Sequence, residues 1–186
     1  SDSDILYYPG WLARSVELLE TFPKVGMVTA RPFRTNPDYH TATRAWAQQN
    51  AALEEGQFVP WETFWEFNRS LGQDEAENRK IYTETQDWKI SYQGKTVLIG
   101  ASHWQFVSYK STLAQFLPFD MDKPMGQVKQ LDQRMNASGY LRLMVSDPLV
   151  MNLSNTTDYV KGVYAKGQPA VQRPGLVKRL VQFAPI

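Results

Sequence analysis

Apolar positions along the first thirty residues fall into a helix between two strands. Residues 5–8 read as the end of a short strand. Leu12, Val16 and Leu19 then recur at helical spacing, with Trp11, Leu18 and Phe22 beside them, which predicts a helix over 10–22 that Pro23 closes. Val25-Gly-Met-Val-Thr-Ala30 is a continuous apolar run, the pattern of a strand covered on both faces. Strand, helix, strand in this order predicts an α/β layer. Residues 41–55 predict a second helix with Ala42, Ala45, Trp46, Ala52 and Leu53 inward, ended by Gly56. Pro60 suits the first turn of a third helix, with Trp61, Phe64, Trp65 and Leu71 on one side. Residues 73–84 are polar and read as exposed.

The period then changes to two. Trp88, Ile90 and Tyr92 alternate with polar neighbours, Gln93-Gly94 makes a turn, and Val97 and Ile99 alternate after it, which predicts a hairpin. Residues 104–109 read as a further strand and 111–117 as a short helix capped by Ser111. Residues 125–138 predict a helix with Val128, Leu131 and Met135 inward, ended by Gly139. Two strands, 140–145 and 149–153, complete the pattern.

Composition adds bounds. The 186 residues suit one domain, or one domain with an appendage. Aromatic residues reach 13%, useful in a core and for stacking on sugars or bases. The net charge of +1 gives no footprint for nucleic acid. Past Asp158 there are no acids and five bases, Lys161, Lys166, Arg173, Lys178 and Arg179, so the residues before carry a net −4. Leu176, Val177, Leu180 and Val181 lie opposite Lys178 and Arg179. The tail 161–186 is therefore a basic amphipathic segment, suited to docking on its own domain or to peripheral contact with an anionic membrane. With no cysteine, the chain has no disulfide, thiolate metal site or cysteine nucleophile. The longest uncharged run, 96–109, is too short for a membrane span. The sequons at Asn68, Asn136, Asn152 and Asn155 read as chance, and a cytoplasmic location, with membrane association through the tail as an addition, is the expectation.

Asp2 and Asp4 form a D-x-D at a strand end. Hard cations such as Mg²⁺ and Mn²⁺ take carboxylate oxygens there and share them with substrate phosphates. The alternative is a solvated terminus. The stretch DSDILYYPGWLARSVELLETFPKVGMVTA, with GASHWQFVSYKSTLAQFLPFD, LDQRMNASGYLRL and DPLVMNLSN, resembles family 2 glycosyltransferases of the GT-A fold. The resemblance implies an α/β fold with a mixed sheet flanked by helices. It also implies that residues 1–160 are the C-terminal portion of such a domain, with the nucleotide-binding half absent. It further implies metal-dependent transfer of a sugar from a nucleotide-sugar donor to an acceptor hydroxyl, with Asp4 and Asp2 on the Mg²⁺ or Mn²⁺ and the donor.

In the family a Glu-Asp pair supplies the base; here Gln127 and Val128 stand there. The nearest acid on that helix is Asp132, about 65° from the centre of its apolar stripe at ~100° per residue. It is the candidate base, against an exposed acid pairing with Lys129. Asp120 and Asp122 are lesser candidates. Asn152 stands where the family places a metal-binding His on the closing strand, with a structural role as the alternative. His103 and Trp104 fall near the implied acceptor site, where an imidazole and an indole hold a sugar, against a packed structural pair. Trp61 and Trp65 read as core, and His40 is assigned nothing. A non-catalytic module binding a glycan or protein is the competing function, and the missing Glu-Asp favours it. A D-x-D phosphatase is disfavoured, because Leu6 stands where its motif wants Thr or Val. A sheet cut at a central strand would expose an edge and predicts either poor solubility or a homodimer through that edge.

Overall fold

The computed structural model describes residues 4–120 and 126–153. Asp2, Asp122 and the basic tail 161–186 lie outside them. The chain runs β1 (Ile5–Tyr7), α1 (Trp11–Thr21), β2 (Val25–Thr29), a 3-10 turn (Pro37–Tyr39), α2 (Thr41–Asn50), β3 (Ala52–Gly56), α3 (Trp61–Ser70) and α4 (Glu75–Glu84). It continues with β4 (Asp87–Tyr92), β5 (Lys95–Ile99), α5 (Lys110–Ala114), α6 (Gly126–Ala137), β6 (Leu141–Val145) and β7 (Val150–Asn152). Five strands form a mixed sheet in the order β2-β6-β5-β4-β3, in which only β2 and β6 are parallel. β1 and β7 form a separate antiparallel ribbon, with Ile5 opposite Asn152. This is a mixed α/β fold with a central sheet flanked by helices.

The two faces of the sheet follow from side-chain alternation. Val97 and Ile99 of β5, with Leu141, Leu143 and Val145 of β6, bury against Leu18, Leu19 and Phe22 of the α1 segment and Ala47 of α2. The intervening Leu98 and Met144 face Phe33, Val59 and Phe64 on the α3 side. Met27 packs with Phe116, Leu131 and Met135, which brings α6 onto that same side. All five residues of β2 and of β6 are buried. The β4–β5 hairpin turns at Gln93 and Gly94, whose φ values of 45° and 72° suit the tight turn that strand twist demands.

Several expectations change in the structure. The second helix stops at Asn50, and Ala52–Gly56 is an antiparallel partner of β4. The sequence hides this switch because β3 carries Glu54 and Glu55, exposed on the sheet edge, where charge discourages further pairing. The buried face of α2 is Thr43 and Ala47, while Ala45 is exposed. Residues 75–84 form a regular helix capped by Asp74, whose carboxylate accepts from Glu77 N at 2.9 Å. Leu12 and Leu71 are exposed; Trp61 is half-buried and packs on the Phe33, Val59 and Phe64 cluster, as a core residue would, while Trp65 sits half-buried at the rim of α3. Residues 104–109 make only one bridge, Val107 to Val28. Beside it the Gln105 side chain replaces a ladder bond by accepting from Ala30 N at 2.8 Å. α5 starts at Lys110 with no side-chain cap, so Ser111 lies inside it.

Buried polar anchors tie the layers together. Arg31, at the end of β2, donates to Glu66 Oε2 and to Thr63 O of α3, each at 2.7 Å. Asp87 accepts from Phe58 N and Val59 N at 3.0 Å and from Arg34 Nε at 3.1 Å. Two substitutions check this packing by urea unfolding. Leu143→Ala, at a fully buried central position, is expected to cost about 2–5 kcal/mol. Asp87→Ala, which removes the counter-ion of Arg34 and leaves two backbone donors unpaired, is expected to cost at least ~3 kcal/mol.

Candidate functional site

The site begins with a loop that the chain pins from several sides. Gly100 follows β5 with φ +130°, and a Cβ there would collide with the Thr35 hydroxyl. Glycine thus lets the 33–40 segment close over the loop. Gly100 N donates to Arg142 O at 3.0 Å, and Ser102 N donates to Thr29 Oγ1 at 2.8 Å. Trp104 then points into the core. Its ring meets Phe33 and Phe67 edge-on at 5.6 Å, and it packs on the cluster of Ile5, Ala30 and Val150. His103, between these anchors, turns the other way along the chain, and its ring meets Phe106 edge-on at 6.0 Å.

Asp132 meets it from α6. Leu131 and Met135 are buried on that helix, and Asp132 between them is 5% exposed. His103 Nε2 lies 2.6 Å from Asp132 Oδ1, across 29 residues of sequence. The same oxygen is paired with Nη2 of Arg142 on β6. Arg142 is 1% exposed, and its guanidinium also donates to Ala101 O at 3.0 Å and Tyr39 O at 3.1 Å. Its backbone N–H donates to Thr43 Oγ1 at 3.0 Å. Burial pushes the Arg142 guanidinium down from its ordinary value, and Asp132 pulls it back up.

Asp132 is therefore neither an acid opening onto a surface cleft nor a partner of Lys129. It is a buried carboxylate held by a cation and an imidazole. Among the described residues His103 Nδ1 has no hydrogen-bond partner, and the side chain is 18% exposed, so this ring is the face the cluster presents outward. An imidazole fixed in this way by a carboxylate can accept a proton.

The structure brings His103 and Asp132 together, and it does not bring Trp104, Asp120 or Asn152 to them. Asp120 has its backbone N and O bonded to the Gln130 side chain at 2.9 and 2.7 Å. Asn152 is buried and donates to Ser70 Oγ at 2.9 Å, a contact that anchors β7 to α3. Asp4 is half-buried, and its carbonyl accepts from Leu153 N at 2.7 Å. Among the described residues no three His, Cys, Asp or Glu side chains gather as a metal centre would require. No helix among them is long and apolar enough to cross a membrane.

Sequence reasoning missed Arg142 and His40. Arg142 had a signal: it is the one charge in the apolar strand Leu141–Val145, and a charge there must find a partner. His40, 2% exposed, lies edge-on to Trp88 at 6.1 Å and borders a cleft of about 360 Å³ with Thr35, Ile81 and Ile99. A larger, shallow groove of about 840 Å³ runs along the outer face of α1 and touches none of these residues. Compared with family models, curated proteins and solved structures, the chain matches none.

Burial, then the charges of Arg142 and Arg44, hold His40 down at about 4, with Asp132 opposing them. The unfolded chain takes up this proton near 6.5 and the folded chain does not. Its contribution to stability is thus complete above that value and falls with pH through the window down to about 4. The loss is ~1.4 kcal/mol per pH unit and of order 3 kcal/mol in all. Urea unfolding between pH 7 and 4 checks this: His40→Gln is expected to remove that share of the pH dependence.

Proposed function

We propose that this chain supplies the metal-binding and acceptor-binding part of a GT-A glycosyltransferase, which moves a sugar from a nucleotide-sugar donor to an acceptor hydroxyl. The observation that carries the reading is the meeting of His103 and Asp132 at 2.6 Å. The resemblance puts these residues at the acceptor site and on the base-bearing helix. Transfer needs a group that takes the acceptor proton as the oxygen attacks the anomeric carbon and the bond from that carbon to the donor phosphate breaks. Gln127 and Val128 offer no such group, and the pair stands in for them. Trp104, packed in the core, serves this site by fixing the loop that carries His103.

Asp4 and Asp2 are the residues that would hold Mg²⁺ or Mn²⁺; Asp4 stands directly before β1, with its backbone carbonyl held by Leu153 N. A bound cation there supplies positive charge against the departing nucleoside diphosphate. Asn152, held on Ser70, is left to its structural contact.

One observation favours a second reading, a non-catalytic glycan-binding module. The Trp61 and Trp65 rings stack 5.8 Å apart and 8° from parallel at the half-buried rim of α3; the Arg79 guanidinium covers Trp61 at 3.8 Å, so Trp65 is the ring of the pair that would stack on a sugar.

The two readings separate in a transfer assay on the full-length protein, nucleotide-binding half included, over a panel of nucleotide sugars. Sugar transfer that stops with chelator, returns with Mg²⁺ or Mn²⁺ and is lost in Asp4→Ala is the expected result. Asp132→Asn is expected to lower kcat by about 10²-fold or more. Transfer retained in Asp4→Ala sinks the metal role. Glycan binding indifferent to chelator and to Asp4→Ala, with no transfer, moves the assignment to the binding module.

A further inference from the structure

We infer that His103 Nδ1, rather than a carboxylate, is the atom that takes the proton from a hydroxyl substrate, and that Asp132 and Arg142 are positioning residues that lock its tautomer. The role in sugar transfer rests on the reading above; the locked imidazole stands on geometry alone.

Three observations converge. Asp132 Oδ1 faces His103 Nε2 at 2.6 Å, and an ionised carboxylate is an acceptor only, so the ring proton belongs on Nε2. That leaves Nδ1 with its lone pair and no partner among the described residues, on a side chain that is 18% exposed. Asp132 itself is 5% exposed and its Oδ1 is shared between the imidazole and the buried Arg142 guanidinium, so His103 is the more open of the two groups to a substrate hydroxyl. The guanidinium also offsets the carboxylate charge. Asp132 can therefore orient the imidazole without a full uncompensated negative charge beside it. Arg142 reaches Tyr39 O and Ala101 O as well, so the loop bearing His103 and the 3-10 turn are fixed to the same cation.

The chain has two histidines, which makes the test direct. Long-range ¹H–¹⁵N correlation at neutral pH reads the tautomer of each ring, and His40→Gln assigns the signals. His103 is expected in the Nε2–H form. Asp132→Asn is expected to shift it towards a mixture of tautomers. Diethyl pyrocarbonate provides a second readout. The Nδ1 lone pair attacks a carbonyl of the reagent and an N–C bond forms as a C–O bond breaks. Ethyl carbonate leaves and decays to ethanol and CO₂, and the ring loses its Nε2 proton.

His103 is expected to be modified and His40, 2% exposed, to be spared. Asp132→Asn is expected to lose most of the His103 rate. An Nδ1–H tautomer in the wild type, or an unreactive His103 beside a modified His40, overturns the inference. Because the wild-type tautomer is read directly, the test survives failure of Asp132→Asn to fold. A locked, reactive His103 in a protein that transfers no sugar sinks the transfer reading and leaves the proton-accepting site in place.

Discussion

One buried cation organises this molecule around its candidate site. The Arg142 guanidinium sits in the middle of a strand whose every residue is buried, where an unpaired charge would be prohibitively costly. It is compensated by contacts to three separate segments: Asp132 on α6, Tyr39 O in the 3-10 turn and Ala101 O in the loop after β5. Each contact is needed because the charge cannot reach water. The position of α6 on the sheet, the closure of the 33–40 segment and the path of the 100–104 loop are therefore coupled. The apolar contacts of Met135 and Leu131 with Met27 would hold α6 near the sheet without fixing its rotation. The ion pair, with the bonds of Arg134 to Phe116 O and Pro118 O and of Asn136 to the 38–42 segment, fixes the rotation that turns Asp132 inward.

That rotation has a chemical consequence. A carboxylate already engaged by a guanidinium is a poor direct base, but it remains a good acceptor for an imidazole N–H. His103 fills that place, and its second nitrogen is the atom left over. Anchors on either side of His103 keep the ring from following its neighbour Trp104 into the core. On the same cation's account His40 stays neutral: desolvation and the nearby charge of Arg142 both oppose its protonation.

Much of the architecture was legible in the sequence, for reasons that can be named. The buried run 25–30 and the period-two stretch around Gln93-Gly94 carry strong local signals, and both appear as strands where the pattern puts them. The strand Ala52–Gly56 was not legible, because its edge position removes the apolar alternation by which a half-buried strand is recognised. The inward face of α2 was misread because Thr43 is buried for its hydroxyl, which accepts from Arg142 N. Of the site, Asp132 and His103 could each be singled out, but nothing local says that they touch. The link between them is Arg142, and the meaning of a lone arginine in LRLMV emerges only when its strand is seen to be central. The D-x-D half of the reading rests on the residues themselves, since Asp2 lies outside the described part of the chain.

The most direct test of this dependence is a double-mutant cycle on the buried pair, read by urea unfolding of Arg142→Met, Asp132→Leu and the double variant. Each single substitution leaves a buried charge without its counter-ion and is expected to cost about 3–5 kcal/mol, while the double variant is expected to recover most of that loss. If instead the two costs add to within ~0.5 kcal/mol, Arg142 and Asp132 are not energetically coupled, and the cation does not organise the site.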